Sequence, residues 1–300
     1  MLGEKLSMSF FSIFAGDMKR GLVLEGGALR GMFSCGVMDV MMEHGLNVDG
    51  IVGVSAGACF GVNMKSGQQG RALRYNQRFA RDKRYCSLRS LITSGDLYNA
   101  DYCYHVVPTQ YDIFDFDAFE RNPMAFYVVA TDVVTGQAVY HQLASGDDRH
   151  DMLEWIRASA SMPLVSRIVE VGGMRLLDGG MADSIPLDFM QRNGYDRNVV
   201  VLTQPSGYVK KPNKMVPLMR IKYRKYPQLI ATMARRHIMY NAQLAHVRQQ
   251  EQAGNCVVLR PEHRLEIQHV SHDPQAMQRV YDHGRQVAMA HLPAIAAMLK

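Results

Sequence analysis

Apolar positions along the chain fall into short runs separated by longer amphipathic stretches, the pattern of strands alternating with helices. "GLVL", residues 21–24, reads as a strand, and residues 28–44, with Met32, Val37, Met38 and Met41 on their apolar side, read as the helix that follows. "DGIVGV", residues 49–54, is a second strand and completes a βαβ unit. Such units cross over right-handed and leave both strands parallel, with their C-terminal ends on one sheet edge. Further strands are predicted at "AFYVVATD" (125–132), "RIVEV" (167–171), "MRLLD" (174–178), "NVVVLTQ" (198–204) and "CVVLR" (256–260). "RIVEV" and "MRLLD" flank Gly172-Gly173 and should pair as a hairpin. The others alternate with helical segments, which predicts a mostly parallel sheet covered on both faces. No internal repeat or low-complexity linker divides the chain. Residues 1–20 read as an N-terminal tail and 21–300 as a single α/β domain, with a basic helical segment near 206–250 and a long mobile excursion over 205–227.

The glycine-rich turn after the first strand, "LEGGALRG", is the first candidate for chemistry. A strand-to-helix turn free of side chains exposes backbone N–H groups that can hold a pyrophosphate, a triphosphate or a transient oxyanion. Ala28 stands where a dinucleotide fingerprint needs its second glycine, and Gly31 is followed by Met32 and Phe33 rather than the Lys-Ser/Thr of a phosphate loop. The oxyanion role remains, and it requires a nucleophile. The second strand runs directly into "GVSAG", residues 53–57, a G-x-S-x-G elbow that lifts a serine hydroxyl off the sheet at a helix start. Ser55 is therefore the candidate nucleophile, and Gly26, Gly27 and Ala28, at the end of the neighbouring strand, are the candidate oxyanion hole. Serine needs a base, either a histidine backed by an acid or a carboxylate acting alone. Ser55 lies early for a hydrolase of the Ser-His-Asp kind, and no histidine stands in a diagnostic setting. Asp178 ends a predicted strand and precedes Gly179-Gly180, which displays its carboxylate on a turn, although an Asp-Gly pair alone is an ordinary turn former.

Composition narrows the class. With 300 residues and 47% hydrophobic content the chain can bury a large core. No apolar stretch is long enough to span a membrane, and the apolar patch "MSFFSIFAG" is short, so neither a span nor a signal peptide is expected. Five cysteines, odd in number and without C-x-x-C spacing, argue against a disulfide framework or a zinc site and fit a reducing cytoplasm. Eleven histidines show no metal-ligand spacing. The net charge of +6 is uneven: residues 197–250 hold eleven Lys or Arg and no Asp or Glu. That stretch is either a solvated face or a surface for anionic phospholipid; without aromatic interleaving or a motif, nucleic acid is not expected. Arg71, Arg74, Arg78 and Arg81 form a basic helical stripe for which "YDIFDFDAFE", residues 111–120, could supply acids. Asp132, next to a strand end, reads as a turn cap.

"GGALRG", "GVSAG" and "DGG", in that order, with "ATDVVTG" (130–136) and "ASASMP" (158–163) between the last two, resemble the patatin-like phospholipases of bacteria over residues 21–205. The resemblance implies a three-layer α/β/α sandwich, a Ser55–Asp178 dyad without histidine, an oxyanion loop at Gly26, Gly27 and Ala28, and no metal or cofactor. It also assigns Arg30 as the loop arginine, a candidate for substrate binding. Ala28 departs from the family's usual third glycine. The expectation is a cytoplasmic lipid acyl hydrolase of the phospholipase A or lysophospholipase kind, releasing fatty acid through an acyl-enzyme and associating peripherally with the inner membrane surface. The alternatives are a small-ester hydrolase with a Ser-His-Asp triad and a non-catalytic lipid-binding regulator.

Overall fold

A computed structural model describes residues 18–300, so the N-terminal apolar patch lies outside the described residues. The predicted βαβ unit is present: β1 (Lys19–Leu24), a helix Met32–Glu43, and β2 (Gly50–Val54), paired parallel from Gly21↔Gly50 to Leu24↔Gly53. β3 (Ala125–Asp132) adds parallel to β2, β7 (Tyr195–Val201) parallel to the other side of β1, and β8 (Cys256–Leu259) parallel to β7. β5 (Val169–Val171) and β6 (Met174–Asp178) form the expected hairpin around Gly172 and Gly173, both at positive φ. The pairing path of the eight-stranded sheet runs β5-β6-β3-β2-β1-β7-β8, with β4 (Ala138–Gln142) pairing β3 off this path; β3, β2, β1, β7 and β8 are parallel and the remaining pairings antiparallel.

Strand side chains alternate between two cores, the period-2 signature of a sheet covered on both faces. Leu22, Leu24, Ile51 and Phe126 face one core, packed by helices Met32–Glu43, Ala56–Lys65 and Pro274–Ala290. Val23, Val52, Val129 and Val200 face the other, packed by Met190 and by Tyr240 and Val247 of the helix Pro227–Gln252. The result is a three-layer α/β/α sandwich. Helix Pro274–Ala290 is set on helix Met32–Glu43 by reciprocal close approach. A Cβ at Gly36 would lie 2.1 Å from Tyr281 O, and one at Gly284 2.0 Å from Phe33 O. Tyr281 also donates its hydroxyl to buried Asp39 at 2.6 Å.

Three expectations need correction. A strand absent from the sequence reading, β4 (Ala138–Gln142), pairs antiparallel with β3; it is half-exposed and carries no clear alternation of polarity. The hairpin strand at 167–171 is shorter than its apolar run, because Arg167 is drawn away by Asp96, to which its N–H and Nε donate at 2.8 Å. Residues 205–227 are not a loose excursion: they contain a helix, Val216–Lys222, whose Met219 is buried, and Tyr223 just after it is buried and accepts the Leu164 N–H at 3.0 Å. The arginine stripe is largely consumed as expected. Arg71 and Arg74 both pair with Asp112 of the acidic segment, and Arg78 donates to Tyr111 O.

Candidate active site

Register brings the candidate residues together. β2 lies beside β3 up to the pair Val54↔Val129, and there it ends. On the opposite side of β3 runs β4, so β6 enters on the side that β2 has vacated, beginning with the pair Ala130↔Asp178. Asp178 is thereby the next residue along the sheet edge from Val54, and Ser55 turns off the sheet beside it.

Ser55 has φ 55° and ψ −120°, a conformation that costs a non-glycine residue of order 1–3 kcal/mol and must be held by its surroundings. The surroundings are specific. A Cβ at Gly53 would strike Ala58 N at 2.6 Å and one at Gly57 would strike Leu24 O at 2.4 Å, so only glycine fits on either side. The Ser55 N–H donates to Ser159 Oγ at 2.8 Å, and that hydroxyl donates to Val129 O at 2.6 Å. Ser159 belongs to the "ASASMP" segment, whose role the sequence left open. The helix Ala56–Lys65 then starts on the Ser55 carbonyl, which accepts from the Ala58 and Cys59 N–H groups at 3.0 Å.

Asp178 is fixed on both sides of its peptide: its N–H donates to Ser161 O, and its carbonyl accepts from Thr131 Oγ1, each at 2.8 Å. Its Oδ1 accepts the Gly180 N–H at 2.8 Å. Burial pushes the carboxyl above its ordinary range; the neighbouring Ser55 side chain and the Arg236 charge act in the opposite direction. A raised carboxylate next to a serine hydroxyl is a better proton acceptor than an exposed one.

The glycine turn abuts this pair. A Cβ at Gly26 would stand 2.9 Å from Ser55 Cβ, and one at Gly27 would strike Thr203 Oγ1 at 2.7 Å. Ala28 sits at φ 50° and opens a single helical turn, Ala28–Gly31, that leads into helix Met32–Glu43. The turn is pinned from β7: Thr203 Oγ1 donates to Gly26 O at 3.0 Å, and the Arg30 N–H donates to Gly27 O at 3.1 Å. Glu25, which the sequence reading passed over, anchors the base of the turn. It accepts the Thr203 N–H and the Tyr240 hydroxyl, both at 2.6 Å. Burial raises its carboxyl, opposed by those two donors and by the charges of Arg30 and Lys210. A charged residue immediately after an apolar strand was the available signal.

Two cavities meet at Ser55, and both include Ala28, Ser55 and Met162 in their walls. One, of about 130 Å³, is lined largely by apolar and aromatic side chains, among them Phe60, Tyr104, Val107, Phe114 and Ile156; Tyr104 and Val107 belong to a π-helix, Asp101–Tyr111. The other, of about 380 Å³, contains Asp178, Glu25, Arg30, Lys210, Arg236 and His269. Arg30 lines this cavity, with its Nη1 3.1 Å from His269 Nε2. Asp132 does not: it accepts the Val134 N–H at 2.7 Å as a turn cap. Lys210, grouped by sequence with surface lysines, is buried enough that its ammonium falls to about 8 through desolvation and the repulsion of Arg236.

Away from the dyad, His105, His150 and Glu154 bring ligand atoms within 4.8 Å of one another. Glu154 is already engaged by Arg157 and by His105, and these hydrogen bonds hold it down at about 2 against the opposing effect of burial. A metal there would have to displace the Arg157 guanidinium. No helix among the described residues is long and apolar enough to cross a membrane.

A family model described as patatin-like phospholipase matches residues 22–190, and one described as a domain of unknown function (DUF6363) matches residues 226–300. The chain is 29% identical over 196 residues to the uncharacterized protein YjjU of Escherichia coli (strain K12), covering 62% of this chain and 52% of that protein. It is 29% identical over 166 residues to the uncharacterized NTE family protein Rv1063c of Mycobacterium tuberculosis, covering 55% and 44%. To lysophospholipase nte1 of Aspergillus niger it is 30% identical over 188 residues, covering 59% of this chain and 11% of that protein. The matched region is thus about half the length of the bacterial relatives. The crystal structure of VipD from Legionella pneumophila aligns with 92% of this chain and 67% of its own, at a TM-score of 0.46 and 12% identity.

Proposed function

The chain belongs to the patatin-like phospholipase family, and from that premise we propose that it is a serine hydrolase of lipid acyl esters working through a Ser55–Asp178 dyad. The observation that carries this reading is the strand register that sets Ser55 beside the buried Asp178, with both residues lining one cavity. Asp178 takes the hydroxyl proton as Ser55 Oγ attacks the ester carbonyl. The carbonyl oxygen, now negative, receives N–H groups from Gly26, Gly27 and Ala28, donors that small residues leave open to close approach. Collapse breaks the ester C–O bond, and the proton on Asp178 passes to the leaving alcohol. Asp178 then takes a proton from water as the water attacks the acyl-enzyme, and fatty acid and free Ser55 are restored. The apolar cavity is the natural berth for the acyl chain.

A second reading uses His269, a histidine of the same cavity. Its Nε2 faces the Arg30 guanidinium, which occupies the lone pair a general base would need, and this favours the dyad. Peripheral contact with anionic membrane is part of the proposal. Val209, Met215, Leu218 and Ile221 are exposed among Lys211, Lys214, Arg220, Arg224 and Lys225, and Met215 also lines the cavity of the dyad. An apolar and basic surface at the mouth of a lipid site suits an interfacial location.

A fluorophosphonate probe with mass mapping, followed by turnover of a panel of acyl lipids, tests the reading. Label confined to Ser55 with release of fatty acid is the expected result. A folded protein that takes no label and releases none would remove the enzyme from consideration and favour a lipid-binding role.

A further inference from the structure

The cavity that holds the dyad is cationic in a way the dyad does not require. Arg30 enters it from the glycine turn, Lys210 from the loop after β7, and Arg236 from helix Pro227–Gln252. Each has a neutral partner: Arg30 Nη1 faces His269 Nε2, Arg236 Nε donates to Gly180 O at 2.5 Å, and Lys210 Nζ stands 4.4 Å from the centre of the Tyr240 ring. Arg30 Nε is buried with no hydrogen-bond partner. The two acids of the cavity leave this charge incompletely compensated. Glu25 is enclosed by Tyr240 and Thr203, and Asp178 accepts the Gly180 N–H and lies beside Ser55. Three like charges facing one space repel one another: after desolvation, Arg236 and then Arg30 lower the Lys210 ammonium, against Glu25 and Asp178, which raise it. An anion placed among them would relieve it.

Position says which part of a ligand the anion belongs to. The apolar and the cationic cavities share the wall formed by Ala28, Ser55 and Met162. An ester lying across Ser55 with its acyl chain in the apolar cavity puts its alcohol portion in the cationic one.

We propose that Lys210, Arg236 and Arg30 form an anion subsite that takes a phosphate carried by the leaving alcohol. This rests on the reading of Ser55 as the acylated residue. The chemistry is divided accordingly: strand ends cleave the ester, and Arg30 together with Lys210 and Arg236 from the chain beyond β7 selects it. Arg236 lies within residues 226–300, the stretch matching a domain of unknown function, so in this chain that segment contributes directly to substrate choice.

The test compares two lipids with the same acyl chain, lysophosphatidic acid and uncharged monoacylglycerol, both kept below their micelle-forming concentrations. Calorimetric binding to the full chain carrying Ser55→Ala reads the subsite without turnover. The phosphate-bearing lipid is expected to bind at least about tenfold more tightly than the uncharged one, a preference lost with an added Lys210→Met and largely kept with Lys210→Arg. In otherwise wild-type protein the ratio of kcat/KM for the two lipids should fall by the same factor in Lys210→Met. A merely electrostatic support of Asp178 would instead lower both substrates together and leave the ratio alone, which would overturn the proposal, as would equal binding of the two lipids. Inorganic phosphate separates the sources of the anion. Competition against lysophosphatidic acid, weakened by Lys210→Met, supports a headgroup subsite, whereas phosphate that alters monoacylglycerol turnover without competing would make this a site for the free ion and overturn the assignment to the leaving group. Preferential binding without any hydrolysis by the wild-type protein would sink the catalytic reading and leave the subsite standing.

Discussion

The two sides of the cavity around Ser55 are built by different means. On one side, Ser55, Asp178 and the Gly26–Ala28 turn sit at strand ends, where pairing with β3 and β1 leaves each backbone a single place to go. On the other, Lys210, Arg236 and His269 reach in from a loop, a helix and a second loop that are laid over the sheet. A backbone fixed by register can hold the strain at Ser55 and the close approach at Gly26; long side chains from an overlying layer can change charge without disturbing that geometry. On the proposed roles, cleavage and selection are therefore separable.

Ser55→Ala sharpens the comparison most: loss of the nucleophile should reduce ester hydrolysis at least about a thousandfold while the melting curve stays near that of the native protein. Gly27→Val comes next. Its side chain meets Thr203 Oγ1 and disturbs the oxyanion donors, so kcat should drop about 10²- to 10³-fold with a smaller change in KM. Gly36→Ala attacks the overlying layer instead, forcing a methyl group against Tyr281 O; a loss of about 3 kcal/mol of stability is expected in denaturant titration.

Proton titration distinguishes the two sides at smaller amplitude. Asp178 acts ionised and its carboxyl is raised by burial, so kcat/KM on an uncharged ester should fall with decreasing pH along a limb lying above the usual aspartate range. Lys210 acts protonated and titrates near 8, facing Arg236, Glu25, Arg30 and Asp178, so any preference for anionic lipid should decline as pH rises through that region. The smallest effect belongs to the outer surface. Neutralising Lys211, Lys214, Arg220, Arg224 and Lys225 together should weaken sedimentation with anionic vesicles, each charge contributing up to about 1 kcal/mol at low salt, and should leave a dispersed short-chain ester untouched.

The same division explains what could be read in the sequence. Strand-end chemistry is local: "LEGGALRG", "GVSAG" and "LLDGG" each place a reactive or permissive residue at the end of an apolar run, and parallel crossover puts the first two on one edge. What the pattern did not reveal is that β6 would arrive antiparallel in the lane β2 leaves, which is a matter of long-range pairing. β4 escaped because its side chains are half-buried on both faces, Val139 against one core and Ala138 and Tyr140 against the other, so no alternation of polarity marks it. Lys210, Arg236 and His269 are separated by tens of residues without periodicity; the packing of helix Pro227–Gln252 brings Arg236 to the cavity of Asp178, and Asn241 of that helix accepts the Lys210 N–H at 2.8 Å. Lys210 was visible as part of an acid-free stretch, but composition could not tell a cavity lysine from its exposed neighbours.

The central claim, that a carboxylate alone activates Ser55, is tested most directly by turnover of one activated short-chain ester in Asp178→Asn and in His269→Gln, each checked for folding. Asn keeps the shape and can still accept from Gly180 N–H, but it cannot take the serine proton. The account predicts a loss of at least about a hundredfold for Asp178→Asn and less than about tenfold for His269→Gln. A folded Asp178→Asn protein that retains turnover, beside an inactive His269→Gln, would contradict it.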